Sequence, residues 1–106
     1  MALTRDFKKT VVARVERDPK FARALLDEAL TLFLNGEPEE AKLILRDLVN
    51  ATVGFERLAQ EIDKSSKSVH RMLSASGNPT MANLSAIIGA VGRALNVRIE
   101  MRIAPV

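Results

Sequence analysis

Apolar residues recur at spacings of three and four through one segment after another of this 106-residue chain, and turn-forming residues separate the segments. Such spacing places the apolar side chains on one face of an α-helix. Strict alternation of apolar and charged residues, which is typical of a half-buried strand, occurs in residues 97–103. The pattern predicts an all-α fold, a compact bundle of five to six helices, followed by a short C-terminal β-strand.

Three helices are predicted in the first half of the chain. The first covers about residues 5–16, with an apolar stripe formed by Phe7, Val11 and Val15. Asp18 suits the N-cap of the second helix because its side-chain oxygen accepts from free backbone N–H groups, and Pro19 suits the first helical position. Asn35 and Gly36 end that helix, and Pro38 begins the third.

Shorter helices are predicted after a break at residues 52–54. One covers residues 55–62, a second is capped by Ser65 and runs to Leu73 or Ser74, and a last one is capped by Thr80. We expect one domain over residues 1–106. It consists of an N-terminal helical segment (1–51), a helix-turn-helix core (52–96) and a C-terminal strand or tail (97–106).

Two glycines, Gly89 and Gly92, lie inside the last predicted helix. Each costs about 1 kcal/mol relative to alanine in a helix interior. We expect close approach of another helix, in this chain or in a second one, to compensate.

The segment from Leu58 to Leu73 has the features of a helix-turn-helix, in which two short helices cross over a tight turn. Ala59 is small enough for the helices to approach closely. Asp63 suits the turn because Asp tolerates positive φ better than most residues. The second helix has an apolar inner edge, made of Val69, Met72 and Leu73.

The opposite face of that second helix is expected to point away from the core and to bind DNA. Arg71 can make a bidentate pair with guanine, and Lys67 can bind base edges or phosphate in the major groove. The hydroxyl groups at the helix start can approach a phosphate. The candidate DNA-binding residues are Ser65, Ser66, Lys67, His70, Arg71, Ser74, Asn78 and Thr80.

The charge distribution favours a polyanionic partner. The formal net charge is +3, with nine basic and nine acidic residues in 1–51 but seven basic and four acidic residues in 52–106. No acidic residue occurs between Asp63 and Glu100. A stretch of one sign is typical of nucleic-acid binding. On charge alone, a solvated basic surface remains the alternative.

A resemblance to known proteins covers residues from about 7 to 101. The motif residues Leu58, Ala59, Ile62, Ser65, Val69, Arg71 and Met72 resemble the helix-turn-helix of Xre/lambda-repressor-like regulators. The run Met72-Leu73-Ser74-Ala75-Ser76-Gly77-Asn78-Pro79-Thr80, followed by Leu84 and Ala94-Leu95, is similar to the addiction-module antidote (antitoxin) proteins, also described as prophage DNA-binding proteins.

This resemblance implies a lambda-repressor-like DNA-binding fold, a homodimer on a double-stranded DNA operator, repression of the protein's own operon, and a cognate toxin as a further partner. Three positions depart from the family pattern. Asp63 stands where glycine is usual, Lys64 where a small apolar residue is usual, and Ser66 where glutamine is usual. The operator sequence therefore does not follow from the resemblance.

Other functional classes are less compatible with these residues. We expect no enzyme, because the chain has one histidine and no metal-ligand cluster or phosphate-binding glycine loop, and we expect no cofactor or metal. The alternative function is a protein-binding module that neutralises a toxin through acidic residues of the N-terminal helices (Asp27, Glu28, Glu37, Glu39 and Glu40), with DNA binding secondary or absent. The start of the chain lacks a signal-peptide pattern, and no apolar run spans a bilayer, so we expect a cytoplasmic protein without a membrane partner.

The predicted C-terminal strand needs a partner, because a lone strand leaves its backbone groups unpaired. No other segment alternates as well, so pairing with the same strand of a second copy is the simplest solution, and irregular packing on the helices is the alternative. Two recognition helices in a dimer should then lie about 34 Å apart, one turn of DNA.

Overall fold

Six helices form the protein in a computed structural model, which describes the backbone of residues 2–106 and the side chains from residue 9 onward. In chain order they are α1 (Ala2–Arg17), α2 (Pro19–Leu34), α3 (Pro38–Ala51), α4 (Phe55–Glu61), α5 (Ser66–Met72) and α6 (Met81–Ala94). The predicted all-α bundle is confirmed. Phe7 of the first predicted stripe lies outside the described side chains. No helix in the described part of the chain is both long and apolar enough to cross a membrane.

Three predicted caps begin helices as expected. The Asp18 side chain accepts from the backbone N–H of Phe21 at 3.3 Å and opens α2, with Pro19 as its first residue. Ser65 and Thr80 open α5 and α6 in the same way, each accepting from the backbone N–H three residues later. Each cap satisfies a backbone donor that the helix leaves free, so these starts are fixed locally.

One cluster of buried side chains joins the six helices. α2 packs mainly on α3, and α1 lies against both, while α4 packs on α5 and also contacts α3 and α6. Each helix contributes to the buried cluster, for example through Val15, Leu26, Leu45, Leu58, Val69 and Ile87. The short helices α4 and α5 are thereby held against the same core as the long helices α1–α3.

The predicted C-terminal strand is wrong for the chain by itself. Residues 97–106 contain no strand, and neither does the rest of the described chain. Val97 is half-buried, but Met101 is 69% and Ile103 91% exposed. A strand is defined by hydrogen bonds to a second strand. No other segment in the described part of the chain supplies these hydrogen bonds, so residues 97–106 form no strand in the single chain.

The two glycines inside α6 do not serve close approach of another helix within residues 9–106, so that expectation is wrong for the single chain. A Cβ added at Gly92 would meet the backbone oxygen of Val97 at 3.7 Å and the side chain of Ile99 at 3.8 Å. A Cβ at Gly89 would meet the guanidinium of Arg93 at 3.4 Å. The tail, and not a helix, therefore covers Gly92.

Candidate nucleic-acid interface

The turn between α4 and α5 is closed by backbone hydrogen bonds around one residue in the left-handed conformation. Asp63 has φ of +57°, as predicted. The N–H of Lys64 donates to the carbonyl of Ala59 at 2.9 Å, and the N–H of Asp63 donates to the carbonyl of Gln60 at 3.3 Å. This pair of bonds is the Schellman arrangement, which satisfies the last carbonyls of α4. The chain then turns directly into the Ser65 cap of α5.

The inner edge of α5 is fixed in the core as predicted. Val69 and Leu73 are fully buried, and Met72 is half-buried. In α4, Leu58 and Ala59 are buried as well, and α4 packs on α5. Since the inner edge is held, the residues on the other side of α5 face solvent.

Lys67 and Arg71 lie on that outer side, one helical turn apart, and both are exposed. Within residues 9–106, neither side chain has a carboxylate oxygen within 4.0 Å. The neighbouring helix differs, because Arg57 of α4 lies 3.9 Å from the carboxylate of Glu61. The exposed face of α5 thus presents two positive charges, and no carboxylate of residues 9–106 lies within ion-pair distance of either.

His70 is exposed as predicted, but one face of its ring is covered. The imidazole stacks on the ring of Phe55, with centroids 3.9 Å apart and an angle of 15° between the ring planes. Phe55 is the buried first residue of α4. The stack therefore joins α4 to α5 and closes one face of the imidazole to a ligand.

Ser74 differs from its predicted position. α5 ends at Met72, so Ser74 lies beyond the helix and is half-buried. Its hydroxyl donates to the carbonyl of Arg71 at 2.7 Å. The predicted position of Ser74 assumed that the helix continues to residue 74, but α5 ends at Met72. Ser74 therefore does not lie on the outward face that Lys67 and Arg71 share.

The remaining candidates lie at the ends of helices. Ser65 is exposed and its hydroxyl oxygen accepts from the N–H of Ser68 at 3.0 Å, while Ser66 is half-buried at the start of α5. Thr80 is exposed and caps α6 at 3.1 Å, and Asn78 is exposed in the loop before it. A capping hydroxyl still has its O–H to donate, so capping and phosphate contact are compatible.

Lys42 of α3 is a residue that the sequence prediction missed. It is only 4% exposed, and its ammonium group donates to the carbonyl of Gly77 at 2.6 Å and to that of Ala75 at 3.3 Å. The carboxylate of Glu39 lies 3.7 Å away. Since a buried ammonium group is stable only with such partners, Lys42 fastens the loop after α5 to α3.

Gly77 explains why that loop lies so close to α5. A Cβ added there would lie 2.0 Å from the carbonyl oxygen of Arg71 and 2.6 Å from that of Met72. No side chain can occupy that space without moving backbone atoms. Gly77 and Lys42 together set the position of the C-terminal end of α5.

The sequence does contain a signal for Lys42. It lies within the apolar stripe of α3, beside Ala41 and three residues before Leu45. A lysine at such a position either extends its charge to solvent or finds buried acceptors. The acceptors here are carbonyls more than thirty residues away, and helical spacing does not identify them.

Metal ligands are not grouped in this region or elsewhere in the described chain, which has no cluster of three His, Asp or Glu side chains able to hold a metal ion. Comparisons with protein-family models, curated proteins and solved structures give no match to this chain. The function of the candidate interface therefore has to be inferred from its own residues.

Proposed function

We propose that the protein is a sequence-specific regulator that binds double-stranded DNA through the outer face of α5. The observation that carries this proposal is the exposure of Lys67 and Arg71, side by side on one short helix, without a carboxylate partner in the described chain. An α-helix with its side chains is about 10–12 Å in diameter and fits a major groove about 12 Å wide.

The way α5 is held supports the proposal. Its start is fixed by the turn at Asp63 and the cap at Ser65, and its end by Gly77 and Lys42. Base recognition needs side chains in a fixed position relative to the groove. A helix held at both ends and along its inner edge meets that requirement.

The surroundings of α5 favour a polyanionic partner. The chain has no acidic residue from 64 to 99, and Asn78 and Thr80 add exposed polar groups beyond the helix. Phosphate contacts from such groups would set the orientation, and base contacts from Arg71 would set the specificity. On the strength of the motif resemblance we propose a lambda-repressor-like mode of binding and an autoregulating antitoxin-like or prophage repressor in the cytoplasm.

The test is duplex binding at a series of salt concentrations, using DNA from immediately upstream of the protein's own gene and a shuffled duplex of equal length. Affinity should fall with salt with a log–log slope of about −0.9 per phosphate contacted. Lys67→Ala should reduce the magnitude of that slope by about 0.9. Arg71→Ala should weaken the binding free energy for the upstream duplex by about 1–3 kcal/mol. It should also reduce the difference in affinity between the upstream duplex and the shuffled duplex.

Arg23→Ala is the matched control, because Arg23 is an exposed arginine of α2, on a different helix from the proposed interface. Arg23→Ala removes one positive charge, as Arg71→Ala does. The affinities for both duplexes should stay within about twofold of those of the unmodified protein, as expected for a distant surface change. Equal losses from Arg23→Ala and Arg71→Ala would contradict the assignment to α5. No salt-sensitive binding to any duplex would leave the toxin-binding alternative, whose five predicted carboxylates are all exposed.

A further inference from the structure

We propose that the C-terminal tails of two copies pair as antiparallel strands, with Met101 of one copy opposite Met101 of the other. This inference specifies the surface of the two-fold dimer and rests on the proposed function only for its biological use. The pairing forms without DNA. It can therefore fail while duplex binding stands, and duplex binding can fail while the pairing stands.

The tail presents apolar side chains that the chain itself does not cover. Ile99 is 44%, Met101 69% and Ile103 91% exposed. Only the start of the tail packs on the protein, where Ile99 lies over Gly92 of α6. Exposure increases with distance from α6, so most of the apolar side of the tail is left for a partner.

Two sides of the tail are distinct. The side chains of Arg98 and Glu100 meet at 2.7 Å, and both are largely exposed. Residues two apart share one face of an extended chain, so this contact places them together, with Ile99 on the α6 side. Apolar side chains on one face and charges of both signs on the other suit a two-stranded pair.

Charge complementarity identifies a second copy as the partner. In an antiparallel pair centred on Met101, Glu100 of each copy lies opposite Arg102 of the other, and Ile99 lies opposite Ile103. Opposite charges facing each other stabilise a strand pair, and like charges destabilise it. The arrangement is self-complementary, which a two-fold interface between identical chains requires.

Other pairings are less favourable. A pair centred on Glu100 would place the two Glu100 carboxylates opposite each other, and a parallel pair in register would place every charge opposite its own copy. A pair centred on Ile99 also matches charges, through Arg98 and Glu100, but would place Ile103 opposite Leu95, next to the end of α6. The Met101-centred pair covers the most exposed apolar side chains.

Cysteine cross-linking tests this register directly, because the chain contains no cysteine. Met101→Cys should form a disulfide-linked dimer under mild oxidation, since Cβ atoms of directly opposite residues lie about 5 Å apart, close to disulfide geometry. Ile99→Cys and Ile103→Cys should each cross-link slowly, because their two copies would lie about 14 Å apart. A mixture of these two variants should cross-link rapidly, because residue 99 faces residue 103.

Charge variants test the same pairing by sedimentation of the full chain. Glu100→Arg or Arg102→Glu alone should weaken self-association by about tenfold, since two attractive pairs become repulsive. Mixing the two variants should restore a heterodimer, because the arginine introduced at position 100 of one chain would face the glutamate introduced at position 102 of the other. Arg98→Ala is the control, since residue 98 faces Ala104 and the change adds no like charge beside Glu100, so self-association should be unchanged.

The expected result is therefore a dimer that cross-links fastest at position 101 and responds to charge at 100 and 102 but not at 98. A monomer at every concentration would overturn the proposal. So would fastest cross-linking at position 99, or a dimer indifferent to both Glu100→Arg and Arg102→Glu, since each would place the interface elsewhere.

Discussion

Two lysines of this chain, Lys42 in α3 and Lys67 in α5, carry the same charge in opposite surroundings. Lys42 is buried, and its ammonium group donates to two carbonyls of the loop after α5. Lys67 is exposed and has no ion-pair partner within residues 9–106. The comparison separates two roles of a cation around α5, because Lys42 helps to hold this helix from inside and Lys67 is presented by it to solvent.

Gly77→Ala should have the largest effect on the free energy of unfolding, because it adds a side chain where the loop after α5 packs against the backbone at the end of α5. The added Cβ would lie 2.0 Å from a backbone oxygen of α5, and relief requires the loop to move away from Lys42 as well. We expect the free energy of unfolding to fall by about 3 kcal/mol, as in severe overpacking, in a urea titration.

Gly92→Ala is the matched control for that substitution. Its Cβ would make ordinary van der Waals contacts at 3.7 Å and 3.8 Å, and alanine is a better helix former than glycine by about 1 kcal/mol. Stability should therefore stay equal or rise. If both alanine variants lost the same stability, the close contact at Gly77 would not be the cause.

Lys42→Met compared with Lys67→Met tests the comparison most directly. Methionine keeps the length of the apolar stem but removes the donor, so the carbonyls of Ala75 and Gly77 lose their partner in the first variant. Lys42→Met should lower the free energy of unfolding by about 2 kcal/mol, or the melting temperature by about 8 °C. Lys67→Met should change it by no more than about 0.5 kcal/mol.

For duplex affinity the order should be reversed, so that Lys67→Met has the larger effect and Lys42→Met the smaller one. Affinity is measured at a temperature where both variants are folded. Lys67→Met should remove the proposed phosphate contact and its share of the salt dependence. Lys42→Met should keep the full salt slope, because Lys42 is too buried to reach a phosphate. Equal melting temperatures for the two proteins would contradict the separation of roles.

Asp63→Gly should have the smallest effect and the opposite sign. Asp63 has φ of +57°, a conformation that glycine adopts without steric cost. The free energy of unfolding should rise by about 0.5 kcal/mol, while Asp63→Ala should lower it by about 1 kcal/mol. Calorimetry of the three proteins measures this order, and a more stable alanine variant would mean that the turn is not strained.

Local rules predicted most of the helix boundaries. Asp18, Ser65 and Thr80 bind backbone groups three residues away, and the turn at Asp63 is closed by bonds within residues 59–64. Each of these interactions joins residues that lie within a few positions of one another, so the sequence pattern identifies them. The exposure of Lys67 and Arg71 followed in the same way from the spacing of Val69, Met72 and Leu73.

Features that depend on distant residues were not predictable in this way. The carbonyl acceptors of Lys42 lie at least 33 positions away, and the stack of His70 on Phe55 joins two helices. Ser74 was misplaced because α5 ends two residues earlier than the longer boundary considered. The predicted C-terminal strand is absent from the single chain, because alternation reports which faces of a segment differ and does not show that the chain itself supplies a partner strand.

The Lys42 tether also bears on how the protein can be divided. The break at residues 52–54 is an obvious place to cut when the half that contains the proposed DNA-binding helix is wanted alone. A fragment starting there would lack α3, and the carbonyls of Ala75 and Gly77 would lose the ammonium group that holds them. The smallest piece that retains the native shape of α5 therefore has to begin before Pro38.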